Sequence, residues 1–157
     1  MNMFLWNILL ALTWAFMSGQ FTPGNFLLGF VFGYGILFLA QRMVGRSFYF
    51  RRVRRIIGFL LFFLKELVVA NLRVAYAVVA PKPRLRPGVL AIPLDVQTDL
   101  EITTLANCIT LTPGTLSLDV SDDRRVLYIH DMFIDDPEAE RRNIKEGLER
   151  RIIEVFQ

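Results

Sequence analysis

The sequence predicts a membrane protein of two unlike halves, a helical membrane part followed by a small α+β domain. Three observations predict it. The 157-residue chain is 54% hydrophobic with a mean hydropathy of +0.41, too apolar for an ordinary soluble domain of this size. Its charge is split: through Ala80, eight basic residues stand against the single acid Glu66, whereas the remainder carries ten basic and fourteen acidic residues. A stretch in the middle, 51–80, is apolar enough for a membrane yet carries its charge on one side only.

The first part, 1–50, reads as a transmembrane helical hairpin with a basic cytoplasmic loop. Two apolar runs, 4–19 and 26–43, flank Gln20-Phe21-Thr22-Pro23-Gly24-Asn25, whose Pro-Gly pair signals a turn. Each run is near the lower limit of about 17 residues for a span. The first side-chain charge arrives at Arg42, so the basic leader region of a signal peptide is missing and the segment is expected to be retained. Trp6 and Trp14 suit interfacial or packing positions. Gly29, Gly33 and Gly35 have the small-residue spacing that lets helix backbones approach closely, against the first run or against a partner protein. Arg42, Arg46, Arg51, Arg52, Arg54 and Arg55 then follow in one short segment. This positive-inside signal puts the loop and the amino terminus in the cytoplasm, and it also suits anionic lipids.

The second part, 51–80, reads as an amphipathic interfacial helix. At about 100° per residue, Arg51, Arg54, Arg55, Gly58, Lys65, Glu66, Val69, Arg73 and Tyr76 fall within an arc of roughly 120°. A spanning helix keeps charge off its middle, whereas a helix lying in the surface wants a basic face opposite an apolar one. The alternative is a third span, in which Lys65 and Glu66 pair inside a bundle and become functional suspects. Asn71 is the one polar residue on the apolar side, placed either for a bond to another protein chain or for a local one.

The third part, 81–157, reads as a small α+β domain, on the cytoplasmic side if 51–80 lies in the membrane plane. Pro81 to Gly88 is a stiff basic linker. A strand is predicted over 89–96, then a helix opened by the capping box Thr98-Asp99-Leu100-Glu101 and running to about Leu111, with Leu100, Leu105 and Cys108 toward a sheet. Thr112-Pro113-Gly114 ends it. A second strand over 115–120 puts Leu116, Leu118 and Val120 on one face, and Ser121 to Arg124 turn the chain. A third strand over 125–134 alternates Val126, Tyr128, His130 and Met132 with Leu127, Ile129, Asp131 and Phe133. Asp135-Asp136-Pro137-Glu138 opens a last helix with Ile144, Leu148, Ile152 and Val155 on its apolar face. The order β-α-β-β-α with two helices on one face of the sheet is that of a ferredoxin-like plait lacking an edge strand. An open edge and an apolar neighbouring helix point to a domain that docks on something.

No constellation for chemistry stands out. His130 has no Cys or His at ligand spacing and reads as a packed strand histidine. Asp119, Asp131, Asp135 and Asp136 read as turn and cap residues rather than a carboxylate cluster. Cys108 is alone, which excludes an internal disulfide and reads as a buried thiol. No phosphate-cradling glycine loop or nucleophile elbow occurs. The expectation is therefore one member of a larger complex rather than an enzyme, with no catalytic residue, no cofactor, no metal and no nucleic acid partner.

Specific residues then carry a resemblance. Ala106-Asn107-Cys108-Ile109-Thr110-Leu111-Thr112-Pro113-Gly114-Thr115-Leu116-Ser117, followed by Leu127-Tyr128-Ile129-His130 and by Ile144-Lys145 to Arg151-Ile152, closely resembles the E-type subunits of the multisubunit Na+/H+ antiporters called Mrp, Mnh or Pha. The resemblance covers nearly the whole chain. It implies a multi-pass accessory subunit of a prokaryotic plasma-membrane complex, beside other small subunits, with ion transport carried by large subunits related to the proton-pumping parts of respiratory complex I. A related chain also occurs in some membrane-bound hydrogenase complexes. The contrasting expectation is a stand-alone membrane-tethered module that binds or senses through its α+β domain.

Overall fold

The computed structural model describes residues 3–44, 48–81 and 85–157. Arg46 and the linker residues Lys82, Pro83 and Arg84 lie outside the described residues, as does the side chain of Arg42. The chain forms two compact units, Met1–Arg54 and Arg55–Gln157, whose boundary falls inside one long helix, α3 (Phe48–Val79).

The first unit is a hairpin of α1 (Met3–Met17) and α2 (Pro23–Val44). The chain reverses earlier than the Pro-Gly pair predicts: Gly19, at φ +67°, ends α1 in the left-handed region open to glycine, and Pro23 occupies the first turn of α2. Proline there is preorganised for the helix and has no N–H to waste, so the pair starts a helix instead of making the turn. Thr22 Oγ1 accepts from Asn25 N at 3.2 Å, and the Asn25 amide donates to Ser18 Oγ and to the Gln20 carbonyl. Trp14 Nε1 donates to Asn25 Oδ1 at 3.0 Å, which ties α1 to this network. Among the described helices α2 is long and apolar enough to cross a membrane, over Pro23–Ala40, whereas α1 has 15 residues and reaches only about 22 Å. An aromatic group of Tyr34, Phe38, Tyr49 and Phe50 closes the base of this unit, with neighbouring ring centroids 5.1 to 6.4 Å apart.

The second unit holds the remainder of α3 and the α+β fold: β1 (Gly88–Pro93), α4 (Asp99–Leu111), β2 (Thr115–Val120), β3 (Val126–Asp131), and a final helical run. That run is α5 (Pro137–Ile144), a π turn (Lys145–Glu149) and α6 (Arg150–Phe156). The sheet order is β1-β3-β2, and both neighbours run antiparallel to the central β3. Leu90, Ile92, Val96, Ile102, Leu105, Ile109, Leu127, Ile129, Ile144 and Ile152 form the core between sheet and helices. The predicted capping box is present: Glu101 N donates to Thr98 Oγ1, and Thr98 N donates to Glu101 Oε2.

Three side chains fall elsewhere than predicted. Leu100 is exposed, and the sheet-facing positions of α4 are Ile102, Leu105, Cys108 and Ile109. In β2 the register slips between Ser117 and Asp119, so Val120 lies opposite Leu127 and packs on the core. A slip of one residue exchanges faces, which leaves Leu116 and Leu118 exposed on the other side with Val89 and Tyr128.

The sheet has β1 and β2 as its two edge strands, and some of the backbone groups along each are already bonded. On β1, the Ala91 carbonyl accepts from Arg141 Nε at 3.0 Å and the Pro93 carbonyl from Lys145 Nζ at 2.6 Å, while Pro93 has no N–H to offer. On β2, Ser117 N donates to Thr110 Oγ1 and Thr115 N to the Thr112 carbonyl. Side chains and one local backbone bond thus occupy part of the positions where another strand would bond.

Candidate functional site

The predicted packing glycines divide into two kinds. A Cβ on Gly29 would lie 2.8 Å from Trp14 Cβ and 3.0 Å from the Ala11 carbonyl oxygen; one on Gly33 would lie 2.5 Å from Asn7 Oδ1. The close approach they permit is taken up by α1 of the same hairpin, whose buried face is Met3, Asn7, Ala11 and Ala15 at four-residue spacing. A Cβ on Gly35 would meet nothing within 4 Å, so that position is open. Asn7 is fully buried and donates from Nδ2 to Tyr49 Oη at 3.0 Å, while its Oδ1 has no conventional donor among the described residues. That oxygen faces the Cα–H side of Gly33, a weak but recurrent contact at helix interfaces. Asn7 does not stand out in the sequence. Its only signal is that it shares one face with Ala11 and Ala15.

The charged residues of α3 share one broad arc of the helix, and only part of that arc meets the α+β fold. Arg51, Arg54 and Lys65 are exposed, and Lys65 lies 3.7 Å from its neighbour Glu66. Arg55, Glu66 and Arg73 belong to the side that meets the α+β fold. Arg55 Nη1 donates to the Glu154 carbonyl at 2.8 Å, and the Arg73 guanidinium sits 5.9 Å from the Phe133 ring centroid. Phe62, on the same side, carries the Arg151 guanidinium 3.8 Å from its ring centroid and lies against Gly147 of the π turn. Arg151 Nη1 also donates to the Glu146 and Gly147 carbonyls within the π turn. The opposite side of α3, with Ile57, Leu60, Leu61, Leu64, Val68 and Leu72, is exposed and apolar. Asn71 lies there and its Nδ2 donates to the Leu67 carbonyl at 2.7 Å.

Between α3 and the α+β fold lies a cavity of about 470 Å³. Phe62, Glu66, Val69 and Arg73 line it from α3, Pro113 and Thr115 from the start of β2, Asp131 and Phe133 from the end of β3, and Glu140, Asn143 and Glu146 from the last helix. Burial raises the Glu140 pKa above its ordinary value, and the nearby Asp131 carboxylate raises it further, partly offset by Asn143 and Arg73. The aspartates considered together from sequence are not gathered here. Asp136 caps α5, Asp135 pairs with Arg86 at 3.4 Å, Asp119 accepts from Val120 N, and Asp131 alone is buried. His130 lies half-buried on the outer face of the sheet, opposite Val89 and Leu116.

A second charged group gives no sign of itself in the sequence. Glu149, 1% exposed, accepts from Asp95 N at 2.6 Å and Val96 N at 3.1 Å through Oε1, and its Oε2 pairs with Lys145 at 3.1 Å. Lys145 also reaches Asp95 at 2.9 Å. Burial works to lower the Lys145 pKa, but its bonds to Asp95 and Glu149 outweigh that and raise it. The π turn brings Glu149 inward, and a 3.6-residue periodicity does not reveal that position. Burial raises the Cys108 pKa, as for a structural thiol.

Residues 7–155 match the family described as Na+/H+ ion antiporter subunit. The chain belongs to that family. It is 41% identical over 151 residues to the E subunit of the Na+/H+ antiporter of Alkalihalophilus pseudofirmus, and 42% identical over 151 residues to that of Bacillus subtilis; each match covers 96% of both chains. The E1 subunit of the Staphylococcus haemolyticus antiporter is 41% identical over 149 residues, 95% of this chain and 94% of its own. Among solved structures, a chain of the Mrp complex from Dietzia sp. DQ12-45-1b is 28% identical, with TM-score 0.52, over 66% of this chain and 96% of its own. A chain of the membrane-bound sulfane sulfur reductase, an archaeal respiratory membrane complex, is 27% identical with TM-score 0.57, over 97% of this chain and 98% of its own.

Proposed function

We propose that the chain is the E-type accessory subunit of a multisubunit cation/proton antiporter in a prokaryotic plasma membrane, holding the complex together while other subunits move ions. The observation that carries this reading is the two-sidedness of α3. One side holds the α+β fold through Arg55, Phe62 and Arg73, and the other leaves Ile57, Leu60, Leu61, Leu64, Val68 and Leu72 uncovered. An apolar stripe of that length is what a membrane surface or neighbouring helices cover.

In this reading the hairpin is embedded and α3 lies in the membrane plane. Arg51 and Arg54 meet anionic headgroups and partner subunits, and the α+β domain lies in the cytoplasm with the amino terminus. The antiparallel order β1-β3-β2, with a helix crossing from β1 to the parallel β2, supports the ferredoxin-like description lacking its fourth strand. Likeness to a sulfane sulfur reductase chain over 97% of the sequence supports a second reading, the equivalent subunit of a related respiratory complex.

The test is thiol accessibility in intact cells, with Cys108→Ser and one new cysteine, Asp122→Cys, in the exposed turn after β2. Protection from an impermeant reagent until the membrane is opened supports the in-plane helix. Labelling from outside makes 51–80 a third span and removes the arrangement proposed. Pull-down of the complex through another of its chains tests the accessory role itself, since a stand-alone module stays behind.

A further inference from the structure

The small sheet is covered on one face. Its inner face carries the core, while Val89, Leu116, Leu118 and Tyr128 stand 40% to 60% exposed on the outer one, where Val89, His130 and Leu116 lie side by side across the three strands. Contiguous apolar surface of this kind marks a contact site.

Three observations select what covers it. First, α3 lies on the helical side of the sheet, where Phe59 packs on the core and Phe62 meets Arg151 and Gly147. The outer face is therefore turned away from α3 and, in the arrangement proposed above, away from the membrane. Second, no lysine or arginine occurs in β1, β2 or β3, so the strands offer nothing to anionic headgroups. Third, three strands of six residues span about 10–15 by 20 Å, on the order of 300 Å², well below the roughly 800 Å² per partner of a stable free-standing interface. A patch of that size holds a second copy or a diffusing protein poorly. It suits one helix, about 10 Å across, of a chain already kept close by its own membrane segments.

We propose that the outer face docks a single amphipathic helix from the cytoplasmic part of a neighbouring subunit of the complex. The apolar stripe of that helix lies across Val89, Leu116 and Leu118, and an acceptor side chain beside the stripe meets the His130 ring. This rests on the chain acting as a subunit of a complex with α3 on the membrane surface.

The experiment places photo-reactive p-benzoyl-phenylalanine at Leu118 in the full chain, irradiates native membranes containing the whole complex, and purifies the complex through another of its chains. The expected product is an adduct between this chain and a different subunit, mapped by mass spectrometry to a helical segment on that subunit's cytoplasmic side. The same probe at Thr103, exposed on α4, is expected to give no such adduct. Adding Leu116→Asp is expected to lower the Leu118 adduct at least about tenfold, because docking then buries an unpaired carboxylate. Thermal melts check the fold of each variant, and a probe at Val89 provides a second position on the same face. An adduct only between two copies of this chain, an adduct only with lipid, or no adduct from either Leu118 or Val89 in an assembled complex overturns the proposal. Absence of the wild-type chain from the purified complex is a separate result and removes the accessory reading itself.

Discussion

The Arg151 guanidinium of the last helix lies 3.8 Å from the ring centroid of Phe62 on α3, and its Nη1 is bonded to two carbonyls of the π turn. The π turn and the long helix thus depend on each other through one cation. A double-mutant cycle with Phe62→Leu and Arg151→Met is expected to give a coupling of about 0.5–1 kcal/mol, read from denaturant melts in detergent. Additive losses within error count against the pairing.

The hairpin makes a sharper prediction. Gly33→Ala places a methyl 2.5 Å from Asn7 Oδ1, and overpacking of this kind costs about 1–3 kcal/mol. Gly35→Ala, with open space around it, is expected to be neutral or slightly stabilising. Protease resistance of the membrane-embedded protein separates the two, and equal behaviour removes the assigned packing.

Lys145 keeps Glu149 from being an unpaired buried charge. Lys145→Met is expected to destabilise the α+β fold by about 3 kcal/mol, and adding Glu149→Gln is expected to restore much of that, because the neutral amide is no orphaned charge and its oxygen still accepts from Asp95 N and Val96 N. The Lys145 pKa is raised in the folded protein, so its contribution is complete below the ordinary value of 10.5 and is lost as pH rises through the folded value. Thermal melts above about pH 10 should therefore fall more steeply for the wild type than for the double variant.

Glu101 predicts the opposite limb. Bonds from the Thr98 and Gln97 backbone N–H groups lower its pKa below 4.5, so its contribution is present above that value and is lost as pH falls through the folded value. Glu101→Gln is expected to flatten the melting temperature between about pH 3 and pH 5. An unchanged acid limb shows that the charge of Glu101 contributes nothing to stability.

Gly114, at φ +96° with Phe133 Cε2 2.9 Å from where a Cβ would sit, joins α4 to β2. Gly114→Ala is expected to cost about 1–2 kcal/mol from the backbone alone, and more once Phe133 moves. The readout is the melt of the full chain.

Much of this molecule is legible in its residues. The alternation of Leu127, Ile129 and Asp131, the capping box at Thr98, and the amphipathic arc around Glu66 are local patterns, and local rules read them. Two of the misreadings share a physical cause. The slip in β2 that turns Val120 inward and the π turn that buries Glu149 each insert or shift one residue of phase, which a fixed period does not register, while Pro23 opens a helix where a Pro-Gly pair reads as a turn. The pairing of Arg151 with Phe62 and the cavity at Asp131 arise between elements distant in sequence, where spacing carries no information.

The partly bonded edges of the small sheet have a consequence for biogenesis. A chain made before its partners must wait, and a bare strand edge is where waiting copies join one another into aggregates. With Arg141, Lys145 and Thr110 already bonded along β1 and β2, a newly made domain offers fewer backbone groups for such self-recruitment.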